Sequence, residues 1–168
     1  MGQKVNPHGL RVGVIKDWDS RWFVRDDVFG DTLVEDYNLR KVLKKKLYDA
    51  GIAKIEIERD ATKVRIHLHC ARPGIVIGKG GAEIEKLRLE CEKMINKNRA
   101  EKLAVLVKVV EVKQPEKNAK LVAESFAAQL ENRASFRRTM KQAISRAMRL
   151  GARGIKVQLY GRVGGAEI

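Results

Sequence analysis

Hydrophobic and polar positions along the chain predict a mixed fold of helices and strands. Apolar residues at spacings of three and four are typical of helices with one buried face, and strict alternation is typical of half-buried strands. The two patterns predict, in chain order, a helix, two strands, a helix, a strand, two helices and a final strand. Their boundaries are 32–50, 52–59, 63–70, 81–97, 103–112, 117–132, 136–150 and 155–160. We therefore expect an α+β fold, with α/β character in its last third.

Local signals set several of these boundaries and divide the chain. A capping box, Thr32-x-x-Glu35, predicts the start of the first helix, and Gly51 predicts its end. Asp60-Ala61-Thr62 joins the first two strands as a hairpin, and Gln114-Pro115-Glu116 interrupts the pattern as a domain boundary. We expect an N-terminal arm, a helix-strand-strand-helix-strand domain and a C-terminal domain of two helices and a sheet, over 1–30, 31–114 and 115–168.

Glycine and proline punctuate the first thirty residues, so we expect this arm to hold at most a short strand. Four aromatic side chains in the arm are expected to anchor it to the body of the protein, although aromatic rings can also stack on bases. These aromatic residues are Trp18, Trp22, Phe23 and Phe29.

The composition favours a folded protein with a polyanionic partner. The 168 residues include 35 Lys and Arg against 21 Asp and Glu, a net charge of +14, and 44% are hydrophobic, too many for a disordered tail. Phosphates would neutralise this self-repulsion, so nucleic acid is the first candidate partner and an anionic membrane the second. No apolar run reaches the ~20 residues that span a bilayer, and the start lacks the apolar core of a signal peptide, so we expect a cytoplasmic protein. Cys70 and Cys91 form no C-x-x-C unit and are expected to be reduced core residues.

The stretch from residue 132 to residue 166 contains cations and no acidic residue. Its cations are Arg133, Arg137, Arg138, Lys141, Arg146, Arg149, Arg153, Lys156 and Arg162. In the helix predicted over 136–150, the residues expected to face inward are Phe136, Met140, Ala143, Ile144 and Ala147. The basic residues of this helix lie roughly opposite. An ordinary solvated face would include glutamates at i,i+4 positions, so this face predicts phosphate binding, and the alanines favour helix packing over a membrane.

Gly78-Lys79-Gly80-Gly81 forms a G-x-x-G loop before a predicted helix. Glycines let another backbone approach, Lys79 adds a positive charge, and free N–H groups at a helix N-terminus favour phosphate oxygens. In this order of elements the loop is typical of a domain that clamps about four nucleotides of single-stranded RNA. A P-loop does not fit, because three residues separate Gly74 from Gly78 and Gly80 follows the lysine. The dinucleotide fingerprint fails as well, with Glu83 where its third glycine would stand.

The sequence offers no enzyme chemistry. His67 and His69 share one face of the second strand, but no Cys or acidic ligand accompanies them at a suitable spacing. We therefore expect these histidines to be structural or to face RNA. No pair of nucleophile and base can be identified either. The prediction is a protein that is not an enzyme, with no catalytic residue, no metal and no cofactor.

Five segments carry a resemblance to a known family. They are residues 1–7 (MGQKVNP), 71–81 (ARPGIVIGKGG), 136–141 (FRRTMK), 148–157 (MRLGARGIKV) and 161–168 (GRVGGAEI). With them the whole chain resembles bacterial small-subunit ribosomal protein three. The resemblance implies a type II KH domain over about 31–114 and a place in the head of the small ribosomal subunit, in the cytoplasm. Family members continue past the G-G-A-E-I motif, so the C-terminal domain is expected to be incomplete here.

The resemblance also implies partners and residue roles. Small-subunit ribosomal RNA and small-subunit ribosomal proteins ten and fourteen are the expected partners, with no membrane and no small-molecule substrate. Messenger RNA is expected along the tunnel by which it reaches the ribosome, where Arg137, Arg138 and Lys141 would grip the strand and help to separate its secondary structure. Translocation by the ribosome would supply the pull, so this chain needs no ATP. Further cations expected to contact RNA are Lys4, Arg11, Arg72, Arg146, Arg149, Arg153, Lys156 and Arg162.

Two other functions stay open on the sequence. A free-standing KH regulator or RNA chaperone would bind single strands chiefly through the loop from Gly78 to Gly81 and would exist as a stable monomer. A helicase or nucleotidase would have its own active site and bind Mg-ATP, and the loop spacing argues against this alternative.

Overall fold

A computed structural model describes residues 2–97, 99 and 102–162 of the chain. The α-helices are α1 (Pro7–Arg11), α2 (Asp26–Lys46), α3 (Pro73–Ile77), α4 (Ala82–Ile95), α5 (Ala119–Glu131) and α6 (Phe136–Arg149). The strands are β1 (Ser20–Arg21), β2 (Ile52–Arg59), β3 (Lys63–Cys70) and β4 (Ala104–Glu111). Short 3₁₀ helices cover Tyr48–Ala50, Lys79–Gly81 and Pro115–Lys117. The chain divides into two units, Met1–Glu111 and Val112–Ile168.

The four strands form one sheet in the first unit, in the order β1-β2-β3-β4. β2 and β3 pair antiparallel, with Ile57 opposite Ile66, whereas β1 joins β2 and β4 joins β3 in parallel. Apolar side chains of the strands pack under α2 and α4 in a single core, and Ile57, Ile66 and Leu68 are fully buried there. The predicted strand pair and mixed fold class are therefore confirmed, and the succession from α2 to β4 contains the predicted order.

The short helix α3 was not expected from the apolar pattern. Proline at its first turn supplies a preset φ, which favours a helix start. Five residues are too few to show helical periodicity, and only Val76 of α3 is buried. α3 brings the chain from β3 to the glycine loop.

The capping box expected at Thr32 is wrong. α2 begins at Asp26, and Thr32 lies buried within it, where its hydroxyl donates to the carbonyl four residues earlier at 3.0 Å. Glu35 instead accepts hydrogen bonds from Arg59 and Arg99, each at 2.9 Å. Two aspartates in the first turn complement the helix dipole and mark the true start. The helix therefore begins within the range that the sequence assigns to the arm.

The predicted stop at Gly51 is confirmed. α2 ends at Lys46, a 3₁₀ turn continues to Ala50, and Gly51 follows with φ +66°, a left-handed conformation that glycine adopts without steric cost. The turn leads directly into β2, so the glycine links the core helix to the sheet.

The segment before α2 is fixed to the first unit by a buried carboxylate. Asp36 is 2% exposed and accepts hydrogen bonds from Ser20 Oγ at 3.1 Å, Trp22 Nε1 at 2.8 Å and Arg59 Nε at 2.9 Å. The Trp22 ring also contacts Phe29, with centroids 5.5 Å apart. Because a buried carboxylate needs such partners, this cluster ties the predicted arm to β2 and α2.

The anchoring role expected of all four aromatic residues is only partly right. Trp22 anchors the segment, but Phe23 is 94% exposed and Trp18 and Phe29 are about half exposed. Hydrophobic character alone predicted burial for each of them. Among these four residues, only Trp22 donates its indole N–H to a buried acceptor, the carboxylate of Asp36. This hydrogen bond fixes the Trp22 ring, whereas the adjacent Phe23 ring stays in solvent.

In the second unit, α5 and α6 pack against each other. Asn118 caps the start of α5, and its side chain accepts from the backbone N–H groups of Lys120 and Leu121 at 3.1 and 3.3 Å. Leu121 and Phe126 of α5 are buried. The strand and sheet expected over 155–160 are wrong for the described residues, which hold no strand in this unit. Exposure still alternates along this segment, as its sequence pattern predicted. No neighbouring strand among the described residues pairs with it, so it does not form a strand.

Both cysteines are buried free thiols, as expected. Burial raises the pKa of the Cys70 thiol, and burial together with the charge of Glu90 raises the pKa of Cys91 to about 11. Both thiols therefore stay protonated near neutral pH and act as small apolar side chains.

Candidate nucleic-acid interface

The helix α6 packs with one face and exposes the other. Thr139 and Ala147 are buried, at 2% and 3% exposure, and Phe136 and Met140 are half-buried. Ile144, expected to face inward, is 36% exposed and lies at the margin of the buried face. The buried residues are small, so α6 can lie close to α5 while its long basic side chains extend into solvent.

An open groove of about 440 Å³ lies on the exposed side of α6. It is lined by Ser135, Arg137, Arg138, Lys141, Gln142 and Ser145. Three of these residues are cations and none is an acid. The structure therefore brings together the three residues to which the resemblance assigned the grip on messenger RNA.

The charges in this groove are uncompensated by neighbouring side chains. Within the described residues, Arg138 and Lys141 form no ion pair, and the Arg137 guanidinium lies 5.5 Å from the centroid of the Phe136 ring. The aromatic contact orients Arg137 without removing its charge. Cations held this way can take phosphate oxygens as partners without first breaking a protein ion pair.

Three uncharged residues of the groove were not identified from the sequence. Ser135, Gln142 and Ser145 add hydroxyl and amide groups between the cations. These groups can donate to phosphate or ribose oxygens. Helical spacing could have placed them beside Arg138 and Lys141, but their lack of charge left no compositional signal.

The other basic residues of the second unit that were predicted to contact RNA are exposed, as a phosphate-binding role requires. They are Arg146, Arg149, Arg153, Lys156 and Arg162. Arg146 and Arg149 continue the basic side of α6 toward its C-terminus, and the other three follow in the chain after that helix.

The glycine loop between α3 and α4 has left-handed backbone at three positions. Gly78, Gly80 and Gly81 have φ values of +72°, +62° and +79°. A Cβ at Gly78 would lie 2.6 Å from Glu83 Cγ, so this glycine also permits the close approach of α4. Gly80 and Gly81 face open space, and the Lys79 side chain is exposed. The loop therefore presents accessible backbone and one cation.

The start of α4 is less favourable for phosphate than the sequence alone indicated. Glu83 and Glu85 lie in its first turn, where their charges oppose an incoming anion. Arg72 is exposed at the start of α3, and its guanidinium donates to the carbonyl of Asp49 at 3.4 Å. The groove of α6 is thus the more strongly basic of the two candidate surfaces.

The two cations predicted to bind RNA from the arm are also exposed. Lys4 precedes α1, and Arg11 ends α1, where its guanidinium donates to the carbonyl of Pro7 at 3.0 Å. Asn6 caps α1 through a 2.9 Å hydrogen bond to the N–H of His8. These cations lie in a different unit from the groove of α6.

The histidine pair of β3 faces acidic residues of β2. His69 Nε2 lies 3.2 Å from a Glu56 carboxylate oxygen, and His67 Nε2 lies 3.7 Å from one of Glu58. Burial alone would raise the pKa of Glu56, but hydrogen bonds from Lys54 and His69 outweigh it and hold that pKa below its usual value. No cluster of three or more metal-ligating side chains occurs among the described residues.

The fold and the basic groove define a class of protein, namely an RNA-binding protein with a KH domain. The KH domain family profile matches residues 38–117, and the profile of the ribosomal protein S3 C-terminal domain matches residues 126–168. The small ribosomal subunit protein uS3 of Clostridioides difficile is 61% identical over 169 residues, and that of Lachnoclostridium phytofermentans is 62% identical over 168. The uS3 protein of Agathobacter rectalis is 60% identical over 168 residues. The chain belongs to the family of small ribosomal subunit protein uS3.

The alignments cover the whole of this chain but not the whole of the relatives. The chain spans 60% of the Clostridioides difficile protein and 74% of the other two. Family membership confirms the resemblance seen in the motifs and agrees with a protein that is not an enzyme and that is found in the cytoplasm. Among the described helices, none is both long enough and apolar enough to cross a bilayer.

Proposed function

We propose that this chain binds ribosomal RNA in the small ribosomal subunit and also grips messenger RNA through the groove of α6. The observation that carries the proposal is the groove itself, in which Arg137, Arg138 and Lys141 line one surface and no acid is among the described residues that line it. A surface of this kind releases counterions when it takes up phosphates, and that release supplies affinity without reading the base sequence. A surface that binds every messenger RNA must bind the backbone independently of base sequence, and phosphate contacts do so.

The proposed mechanism is electrostatic and needs no ATP from this chain. The three cations hold the backbone of an incoming strand while translocation by the ribosome pulls on it. A paired region in the messenger would open because one strand is held and the other is not. Rigid support comes from the packed face of α6, with Thr139 and Ala147 buried behind the basic row.

Ribosomal RNA is the proposed partner of the further cations named from the sequence, which are Lys4, Arg11, Arg72, Arg146, Arg149, Arg153, Lys156 and Arg162. We also propose the division into an arm, a KH domain and a C-terminal domain over 1–30, 31–114 and 115–168, and contacts with small-subunit ribosomal proteins ten and fourteen. Crosslinking in intact particles would test these assignments together. Lys79 and Arg138 are expected to crosslink to nucleotides, and Arg138 to messenger nucleotides in particular.

The glycine loop is proposed as a second and weaker RNA contact. Its open backbone at Gly80 and Gly81 and its exposed Lys79 support the proposal, whereas the acidic first turn of α4 limits its strength. Lys79→Asp should lower RNA affinity and flatten its salt dependence, by a log–log slope of about 0.7 for one lost phosphate contact. Unchanged affinity would assign the loop a scaffolding role.

Translation of structured messages tests the grip directly. Ribosomes carrying Arg137→Ala, Arg138→Ala and Lys141→Ala together should slow on messages with hairpins more than on unstructured messages. Equal slowing on both would remove strand separation from the proposal. Arg88→Ala on α4 is a matched control, because Arg88 already binds Glu85 and Glu92 and should leave both message classes unaffected.

A further inference from the structure

The two helices of the second unit end in the same hydrogen-bonded turn. At the end of α5, the N–H of Arg133 donates to the carbonyl of Leu130 at 2.9 Å, and the N–H of Ala134 donates to that of Gln129 at 3.0 Å. This pair of bonds is the Schellman motif, which satisfies the last carbonyls of a helix. The residue at its turn must adopt a left-handed backbone.

The end of α6 repeats these bonds. The N–H of Gly151 donates to the carbonyl of Met148 at 2.9 Å, and the N–H of Ala152 donates to that of Ala147 at 3.1 Å. Gly151 has φ +79° and occupies the turn position without steric cost. The unit therefore contains two copies of one motif, and one of them has the residue that the motif favours.

The other copy has an arginine at the same position. Arg133 has φ +58°, and it is the one residue besides glycine with positive φ in the part of the chain that the structure describes. A side chain with a Cβ is disfavoured in this conformation, and arginine lacks the short polar group that helps asparagine or aspartate to adopt it. Asn132 lies directly before Arg133 and does not occupy the turn.

Packing does not explain the arginine. Its side chain is exposed and makes no hydrogen bond or ion pair with another described residue. The local fold would accept glycine there, as the end of α6 shows. A disfavoured backbone conformation at a position without a structural contact points to a role outside the folded chain.

The position of Arg133 indicates that role. It lies two residues before Ser135, which lines the groove, so its Cα is within about 7 Å of the first residue of that surface. We infer that Arg133 is a further phosphate-binding residue, which extends the cationic row of the groove beyond the start of α6. This inference rests on the proposed function of the groove and names a residue of that same site.

Substitutions at residue 133 in the full chain separate charge from backbone strain. Arg133→Gly removes both, Arg133→Asn removes the charge and keeps a side chain that tolerates the turn, and Arg133→Lys keeps both. Binding to a fluorescein-labelled single-stranded oligouridylate is measured by anisotropy as a function of salt, and thermal unfolding by circular dichroism. Lys120→Gln, on an exposed cation of α5 outside the groove, controls for the loss of one charge.

We expect Arg133→Gly to raise the unfolding temperature while lowering RNA affinity about fivefold at 0.1 M salt and reducing the log–log salt slope by about 0.7. Arg133→Asn should show the same loss of affinity, and Arg133→Lys should bind within about twofold of the parent chain, since the charge is kept. Lys120→Gln should leave the salt slope unchanged.

The outcomes separate this inference from the function on which it rests. If Arg133→Gly binds like Lys120→Gln while Arg138→Ala weakens binding, the inference is overturned and the proposed function stands. If Arg133→Lys loses as much affinity as Arg133→Gly, a charge-based role for this residue is overturned. If neither Arg138→Ala nor Arg133→Gly changes affinity, the proposed function of the groove fails as well.

Discussion

Two helices of equal length, α4 and α6, put their charged residues to different use. Each has 14 residues. α4 carries four acids and three bases, whereas α6 carries five bases and no acid. On α4, Glu85 and Glu92 bind Arg88 at 2.6 and 2.9 Å, and Glu83 binds Lys86 at 2.8 Å.

The difference separates cations that form ion pairs within the protein from cations that are available to bind phosphate. Paired cations on α4 have their partners within the protein, so a phosphate would have to displace a carboxylate to reach them. The cations of the α6 groove have no such competitor among the described residues. Because counterion release depends on the phosphates actually neutralised, α6 should contribute far more to RNA affinity than α4.

The buried faces of the two helices also differ, in the number and size of the side chains that each one buries. α4 inserts Leu87, Cys91 and Ile95 into the core of the first unit, each less than 5% exposed. α6 buries only Thr139 and Ala147. α4 is therefore chiefly a structural helix, and α6 is a helix whose inner face does little more than hold its basic side in place.

The largest expected effect concerns the buried face of α4. Leu87→Ala should lower the free energy of unfolding by about 2–5 kcal/mol, because it leaves a cavity in the core. Both tryptophans, Trp18 and Trp22, belong to the first unit, so urea unfolding followed by tryptophan fluorescence reports on it. The corresponding change in α6, Ala147→Gly, is followed by circular dichroism because both tryptophans lie in the first unit, and it should lower helix stability by only about 1 kcal/mol. Equal losses would remove the contrast between the two buried faces.

The second effect is the loss of RNA affinity when the groove is neutralised. Replacing Arg137, Arg138 and Lys141 by Ala should weaken binding to single-stranded RNA about 100-fold at 0.1 M salt, because three contacts are lost and each scales with salt to a power of about 0.7. The measurement is fluorescence anisotropy over a salt series. The control replaces three cations that bind glutamates of α4: Lys46, Lys86 and Arg88. A comparable loss in the control would show that net charge matters and position does not.

A single acid should convert α6 partly to the character of α4. Gln142→Glu places a carboxylate in the groove, four residues after Arg138 and four before Arg146, where it can bind both. RNA affinity should fall about tenfold, because between one and two phosphate contacts are lost. Gln142→Ala should change affinity less than about twofold, since it alters no charge. A similar loss for both substitutions would indicate that the amide itself is the contact.

The smallest effect is the reverse change on α4. Glu85→Gln together with Glu92→Gln frees Arg88 and should raise RNA affinity by no more than about fivefold, the contribution of one phosphate contact at 0.1 M salt. The same anisotropy titration measures it. A larger rise would mean that carboxylate repulsion, and not pairing alone, keeps RNA from α4. A fall in RNA affinity would contradict the proposed difference between the paired cations of α4 and the available cations of α6.

The basic face of α6 was predictable because its signal is local. Helical spacing put Ala147 on the buried face and the cations on the exposed face, although it missed Thr139 and placed Ile144 too far inward. The absence of acids over 132–166 identified the surface. The sequence pattern equally predicted the hairpin of β2 and β3, whose alternation matches the observed burial. The capping box at Thr32 failed because Glu35 has nonlocal partners, Arg59 and Arg99, that a four-residue motif cannot reveal.

The sequence by itself determined the fold class, the family and the sign of the charge on each segment, because periodicity, motif spacing and composition act over a few residues. Tertiary structure decided which cations are compensated, which aromatic ring reaches a buried acceptor and which helix end places an arginine in a left-handed turn. Those outcomes depend on side chains distant in sequence meeting in space, and on backbone angles fixed by packing. Asp36 illustrates the point, since its three partners come from β1, its neighbouring loop and β2.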